Sequence, residues 1–473
     1  MLLKDKHWTV LLLGILLAIA YGSTLNHFYL SDDFTWLAKA KNHSLVQPLI
    51  EGFRYSGIFR PVFYLYIQAN YSIFGTSPLG WNVLQLLLHF GNCWLLANLM
   101  GHHFKNYWMG LFIAVSFALH FINAEAVFWL SAASYTLAAF FTLLTLLMYV
   151  QFKETGKKIL YFASFLSASF ALLSNEQAVS LFLLLAVFEF RSPAPVTSRF
   201  RMLLPYFLIA GLYAGFRLFA LDFHPPGGAY QPDVGLNFIK NYLFLTVGSL
   251  MRLDFMELLD YWRIFQSNGN FGQLTSNLTD KPIYAIILIL APLLYFTAFL
   301  ISAYSRFFIF WGFCSFLPVA IFAGSAERLL YLPLTGFAAL IPIWIHKLSE
   351  KFRSKNLFYL LAIIWIGYLF VVQQITVKHW RYASAITQKT VDVIGQAAQA
   401  AGQPIKVCLE QAPDHYYEAW VFRMGFEQLG ELFYPEGLVE TKLRSERDCP
   451  VGSNRLIFFG EFRDDQLILQ PAN

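Results

Sequence analysis

The chain has 473 residues, of which 57% are hydrophobic and only 13% charged, and it carries a net charge of +5. A soluble protein would be about 25% charged, and it would not repeat apolar runs of about 20 residues, the length that crosses about 30 Å of hydrocarbon. This excludes a soluble globular protein, and the modest charge, spread over short loops, is a topology signal and not a nucleic-acid patch.

The first apolar run, 8–25, follows Lys4 and Lys6. Its Ala18-Ile19-Ala20 resembles a signal-peptidase site, but the run continues beyond it and reads as an uncleaved span. Further spans are expected at 82–100, 107–122, 126–150, 159–173, 177–190, 202–220, 282–303, 306–323, 329–346 and 357–375. The fold class is therefore all-α and polytopic, with about eleven transmembrane helices. Basic residues orient them. Lys4 and Lys6, His102 to Lys105, Lys153 to Lys158, Arg191 to Arg201, Arg306 and Lys347 to Lys355 all fall on one side, read as cytoplasmic. Residues 26–81, 123–125, 174–176, 221–281, 324–328 and everything from 376 then face the other side. The run 236–253 would invert the later loops if it crossed, so it reads as an interfacial or re-entrant helix.

A membrane domain of 1–375 is thus expected, followed by a small non-cytoplasmic α/β domain, 376–473. Strand-like runs lie at 405–409 and 455–459, and helical periodicity lies at 416–433. Cys93 and Cys314 fall in apolar runs and read as buried small hydrophobes. Cys408 and Cys449 lie in the polar tail, where a disulfide and two unrelated thiols are equally compatible with the sequence.

Ionisable groups near spans are costly and mark functional sites or helix pairs. Here Asp32, Asp33, Arg54, Arg60, His120, Glu125, Glu176, Glu327 and Arg328 all fall on the non-cytoplasmic side, in or beside loops of a few residues. Such a set fits a polar cavity at that surface. Asp32 and Asp33 cannot point the same way in a helix or a strand. One can face a reacting hydroxyl as general base while the other orients a partner or caps a helix. Arginine suits a phosphate because its planar fork binds two oxygens; an internal salt bridge to Glu125, Glu176 or Glu327 is the alternative for Arg60 and Arg328. A divalent cation is compatible with the acid pair and His120 or Glu125, but no spacing demands one, so no cofactor is required.

Five segments occur in a familiar order: YLSDDF, GIFRPVFYLYIQANYSIFGTSPLGWNVLQLLLHFGN, LHFINAEAVFWLSAASYTLAAFFTLLTLLMY, LLSNEQAVSLFLLL and SAERLLYLP. In this order they resemble the C-type, membrane-integral glycosyltransferases, and among them the protein O-mannosyltransferase-like branch with its bacterial relatives. The resemblance covers roughly residues 8–346. It implies a polyprenyl- or dolichyl-phosphate donor carrying one sugar, a protein, lipid or glycan acceptor, and inversion at the anomeric carbon; the compactness of the chain points to a bacterial inner membrane. Carried onto this chain, Asp33 or Asp32 is the base, and Arg60, Arg328 and Arg54 are the donor-phosphate candidates. His120, Glu125, Glu176, Glu327 and Tyr331 shape the cavity. The chain departs from its relatives where they carry an Arg-Asp pair, since residues 131–135 read Ser-Ala-Ala-Ser-Tyr. Asn175-Glu176 stands where relatives read Lys-Glu, and Phe121 where they have proline. A carrier of lipid-linked glycans, which needs no acid base, and a membrane scaffold for the tail are the competing readings.

Overall fold

The computed structural model describes residues 2–42, 47, 59–190, 195–219, 235–252, 282–322, 324–409, 411–443 and 456–471. The helices in chain order are α1 Leu2–Tyr21, α2 Asp33–Asn42, α3 Pro61–Phe74, α4 Pro78–Phe104, α5 Tyr107–Ala118, α6 Ala124–Phe128, α7 Ala133–Thr155, α8 Lys158–Ser174, α9 Ser180–Phe190, α10 Val196–Phe219 and α11 Leu236–Gly248. They continue with α12 Pro282–Ile301, α13 Ala303–Ala320, α14 Tyr331–Phe337, α15 Leu340–Lys351, α16 Lys355–Ala401 and α17 Leu429–Phe433.

Each of the eleven expected spans overlaps described helix, and the protein is a polytopic helical membrane protein. Among the described residues five helices are long and apolar enough to cross a membrane unaided, or six if α5 and the bent 121–128 segment count as one span. That bend is 59°. It falls where His120 caps the following turn, its side chain accepting the Ile122 amide. The span expected from 126 is also interrupted. The chain kinks through Trp129 and a 3₁₀ turn at Leu130–Ala132 before α7 begins. These breaks free side chains and backbone groups at one end of the bundle. Helix α11, at 13 residues, rises only about 20 Å, short of a crossing, in keeping with its reading as interfacial or re-entrant.

The last helix runs 47 residues without a break, so the domain boundary expected at 375 falls inside it. Its first half is exposed at Tyr359, Leu360, Ile363 and Ile364. From Leu369 a buried stripe continues through Gln373, Thr376, Trp380, Ser384, Thr387, Ile394 and Ala398, the three-four spacing of one packed helix face. That face binds the chain leaving α1. Ser384 Oγ accepts the Phe28 amide at 2.7 Å, and Thr387 Oγ1 donates to the Tyr29 carbonyl at 2.8 Å.

Six strands follow in the tail: β1 Ile405–Leu409, β2 His415–Tyr416, β3 Ala419–Trp420, β4 Val439–Leu443, β5 Leu456–Arg463 and β6 Gln466–Pro471. Four form a sheet in the order β4-β1-β5-β6, parallel except for the β5–β6 hairpin. The α/β tail expected from the sequence is present. The single helix expected over 416–433 is not. That stretch is the β2–β3 hairpin, an irregular turn, and a helix of only five residues, α17. Tertiary packing overrides its helical periodicity, because 421–425 lies against the first loop. The Ser31 amide donates to the Val421 carbonyl at 2.8 Å, and Phe422 stacks on Phe34 at 5.8 Å. Gly425 makes this approach feasible. Its φ is +88°, and a Cβ there would lie 2.3 Å from the Ser31 carbonyl oxygen. Gly425→Ala is expected to destabilise the protein by roughly 1–3 kcal/mol through backbone strain and displacement of the loop. A lowered melting temperature with faster proteolysis of the tail would register it; unchanged values would show that the approach is not tight.

Cys408 is disulfide-bonded, whereas Cys93 and Cys314 are free. Cys449 lies outside the described residues.

Candidate functional site

The interrupted spans bring the polar loops together at one end of the bundle. Asp33 is the first residue of α2 and is buried. Its Oδ2 accepts the Leu30 amide at 3.1 Å, and its Oδ1 accepts both the amide and the hydroxyl of Ser131, at 2.8 and 2.6 Å. Asp33 therefore staples the first loop to the turn that starts α7. Burial pushes its carboxyl up to about 7, against the opposing hydrogen bonds from Ser131 and Leu30. Because that value lies above the usual one of about 4, the contribution of Asp33 to stability is present below about pH 4 and is lost as pH rises through about 7. Asp33→Asn is thus expected to flatten the fall in melting temperature between those pH values; an unchanged slope would assign it to other groups.

Asp32 points elsewhere. It is half-buried, and among the described residues its side chain receives only a 3.3 Å bond from the neighbouring Ser31 hydroxyl. Burial raises its proton affinity, while the Arg328 guanidinium, the Ser31 hydroxyl, Arg423 and Lys39 pull it back. One acid is tied down by three donors and the other faces cations.

Arg328 lies in the 3₁₀ turn Glu327–Leu330. Its backbone amide donates to Glu125 Oε2 at 2.7 Å, and its guanidinium pairs with Glu125 Oε1. Trp420, from the tail, donates to the same Oε1 at 2.8 Å. The Arg328 guanidinium lies over the Trp129 ring at 4.9 Å, and the Trp129 indole donates to the Leu30 carbonyl at 3.1 Å. Trp129 thus links Arg328 to the acid loop. Arg423, three residues after the hairpin, lies over Trp420 at 4.7 Å and is exposed.

Arg60 immediately precedes α3. Its guanidinium grips Glu176 with two bonds, Nε to Oε2 at 2.9 Å and Nη2 to Oε1 at 2.6 Å, and donates to Ser134 Oγ at 3.1 Å. The internal salt bridge considered for Arg60 is therefore formed, with Glu176. Arg217, near the end of α10, approaches the same carboxylate at 3.7 Å. Burial alone would raise the Glu176 carboxyl, but Arg60 and Arg217 outweigh it and hold it down at about 2. Beside this cluster is an apolar groove of about 320 Å³ lined by Phe59, Leu172, Tyr213 and Phe216.

The uncharged turn 131–134 joins the two halves. Ser131 holds Asp33, while Ser134 accepts from Arg60 and from Asn175, the latter at 3.2 Å. Sequence reasoning missed Ser131, Ser134, Arg217, Trp420 and Arg423. Trp420 and Arg423 had no signal, because the tail read as a separate domain. Arg217 could have been found as a cation near the end of a span.

The other expected residues that are described have settings of their own. The hydroxyl of Tyr331 is bonded to His89 at 2.7 Å and Asn92 at 3.0 Å inside the bundle. His120 Nε2 is bonded to the Ser249 carbonyl at 3.0 Å, which ties α11 to the 120–123 turn. Glu327 is buried in its turn. Arg54 lies outside the described residues. Among the described residues no three His, Cys, Asp or Glu side chains converge as metal ligands. Glu125 and His120, which the sequence left compatible with a cation, are each engaged as above.

No family model matches the sequence. A solved structure, that of ArnT from Cupriavidus metallidurans bound to undecaprenyl phosphate, aligns over 98% of both chains with 11% identity and a TM-score of 0.46. A protein O-mannosyl-transferase of Caenorhabditis elegans is 24% identical over 318 residues, covering 63% of this chain and 44% of the relative. The chain spans less than half the length of that relative. The resemblance read from the ordered motifs, to membrane-integral glycosyltransferases of the protein O-mannosyltransferase-like branch, is thereby borne out as a distant one.

Proposed function

We propose that this protein is a glycosyltransferase that moves one sugar from a polyprenyl or dolichyl phosphate to an acceptor hydroxyl on the non-cytoplasmic face, with inversion. The observation that carries the proposal is the division of labour in the acid pair. Asp32 is half-buried and within electrostatic reach of Arg328 and Arg423, while Asp33 is consumed by three hydrogen bonds. Similarity to a mannosyltransferase supports the reaction class.

Asp32 takes the proton of the acceptor hydroxyl. The acceptor oxygen then forms a bond to the anomeric carbon from the face opposite the lipid phosphate. The carbon–oxygen bond to phosphate breaks, its electron pair stays on the phosphate, and arginine stabilises the charge that develops there. Arg60 and Arg217 converge on Glu176 beside a groove of about 320 Å³ that suits part of a prenyl chain. This favours the Arg60–Arg217 end for the donor phosphate and leaves Arg328 and Arg423 to offset the effect of burial on Asp32. Asp33 is a positioning residue. The sugar transferred is a hexose or a pentose, and the acceptor is a protein, a lipid or a glycan. The bonded state of Cys408 supports an oxidising compartment for the tail.

The experiment is reconstitution in liposomes with a radiolabelled single-sugar polyprenyl phosphate and a mixed acceptor pool. Transfer of label with release of polyprenyl phosphate is expected. Movement of intact donor across the bilayer without transfer would instead establish the carrier reading.

A further inference from the structure

At the end of the bundle opposite the acid pair, α5, α15 and α16 leave a cavity of about 960 Å³. This is at the upper end of the range for small-molecule sites, about 300–1,000 Å³. Phe112 and Val115 of α5 form one wall, and Phe358 and Ile366 of α16 the other. The Trp365 indole donates to Ser116 Oγ at 3.1 Å and ties the two helices together at the inner end.

The mouth is polar. His346, Glu350, Arg353 and Lys355 line it. Glu350 is already held, by Lys347 at 2.8 Å and His346 at 3.2 Å, and the Lys347 bond keeps its carboxyl below the usual range. Arg353 and Lys355 have no ion-pair partner among the described residues. They flank Ser354, the N-cap of α16, where the unpaired amides of a helix start also favour an anion. Trp108 and Tyr359 flank the opening and are 62% and 60% exposed, as aromatic residues are at a membrane interface.

These features select one kind of ligand. A free phosphate would leave the apolar walls in water, and a plain hydrocarbon would leave Arg353 and Lys355 unmatched. We infer that the cavity binds an anionic glycerophospholipid of the adjoining leaflet, with its phosphate at Arg353 and Lys355 and one acyl chain between α5 and α16. The site is separate from the acid pair and does not depend on the reaction proposed above.

Native mass spectrometry of the full chain in detergent tests this, with phosphatidylglycerol, phosphatidylcholine, undecaprenyl phosphate and inorganic phosphate as probes. Phosphatidylglycerol is expected to bind roughly tenfold tighter than phosphatidylcholine, as two basic residues at an anionic headgroup imply, and to raise the melting temperature. Arg353→Glu with Lys355→Glu should erase that preference while leaving phosphatidylcholine binding unchanged. Val115→Trp, which keeps both charges but fills the wall, should weaken phosphatidylglycerol binding on its own. Equal binding of the two phospholipids, or a preference that survives charge reversal, would overturn the inference. Tighter binding of undecaprenyl phosphate, or competition by inorganic phosphate alone, would overturn the choice of occupant. Should the double variant fail to fold, Val115→Trp and Lys355→Gln carry the same comparison.

Discussion

Asp32→Asn is expected to lower kcat for sugar transfer by about 10²–10⁴-fold, the usual contribution of a positioned general base, while KM for the lipid donor and the melting temperature stay near the wild-type values. The side chain keeps its size and its contact with Ser31, so what it loses is the ability to take a proton. Asp33→Ala should behave in the opposite way. It strips the acceptor from the Leu30 amide and from the amide and hydroxyl of Ser131. Each buried donor left unsatisfied costs about 1–3 kcal/mol, so the protein should lose stability first and activity as a consequence. Asp33→Asn retains one carboxamide oxygen and should fall between. Wild-type kcat in Asp32→Asn, with kcat lost in a stably folded Asp33→Asn, would exchange the two roles.

The second large effect concerns Arg60 and Glu176. Their side chains are 7% and 14% exposed, so solvent screens the pair little. Removing one partner of a buried ion pair leaves an uncompensated charge and costs about 3–5 kcal/mol. Glu176→Ala should reach that range, because both Arg60 and Arg217 then repel each other. Arg60→Ala should cost less, since Arg217 at 3.7 Å still opposes the carboxylate. A double-mutant cycle should show strong coupling, the paired replacement costing much less than the two single changes added. If Arg60 also meets the donor phosphate, Arg60→Lys will raise KM for the donor more than it lowers the melting temperature, because lysine keeps the charge but loses the fork. Additive single changes would mean that the pair contributes little beyond its packing.

Much of this protein was legible locally. Apolar runs located the helices, and the acid loop stood out as charge beside a span. The partners were not legible, because they are far apart in sequence. Asp33 meets Ser131 across 98 positions, Arg60 meets Glu176 across 116, Arg328 meets Glu125 across 203, and Trp420 meets Glu125 across 295. No periodicity reports such pairings. The same limit hid the division of roles between Asp32 and Asp33, which depends on Ser131 approaching one of them. It also misled the reading of 416–433, whose helical pattern of apolar residues is buried here by a hairpin and a turn folded over Ser31 and Phe34.

The helix Lys355–Ala401 has a mechanical consequence. At about 1.5 Å per residue, its 47 residues form a rod about 70 Å long, more than twice the thickness of a hydrocarbon core of about 30 Å. One rigid rod therefore reaches from the basic cavity mouth to the tail, whose Trp420 and Arg423 sit over the acid loop. A rod transmits rotation as well as height. One residue inserted in its lipid-facing half would turn everything beyond it by about 100°, swinging the tail off the acid loop, whereas seven residues would restore the angle to within about 20°. The angular phase of this rod, more than its length, keeps the tail in register with the acids.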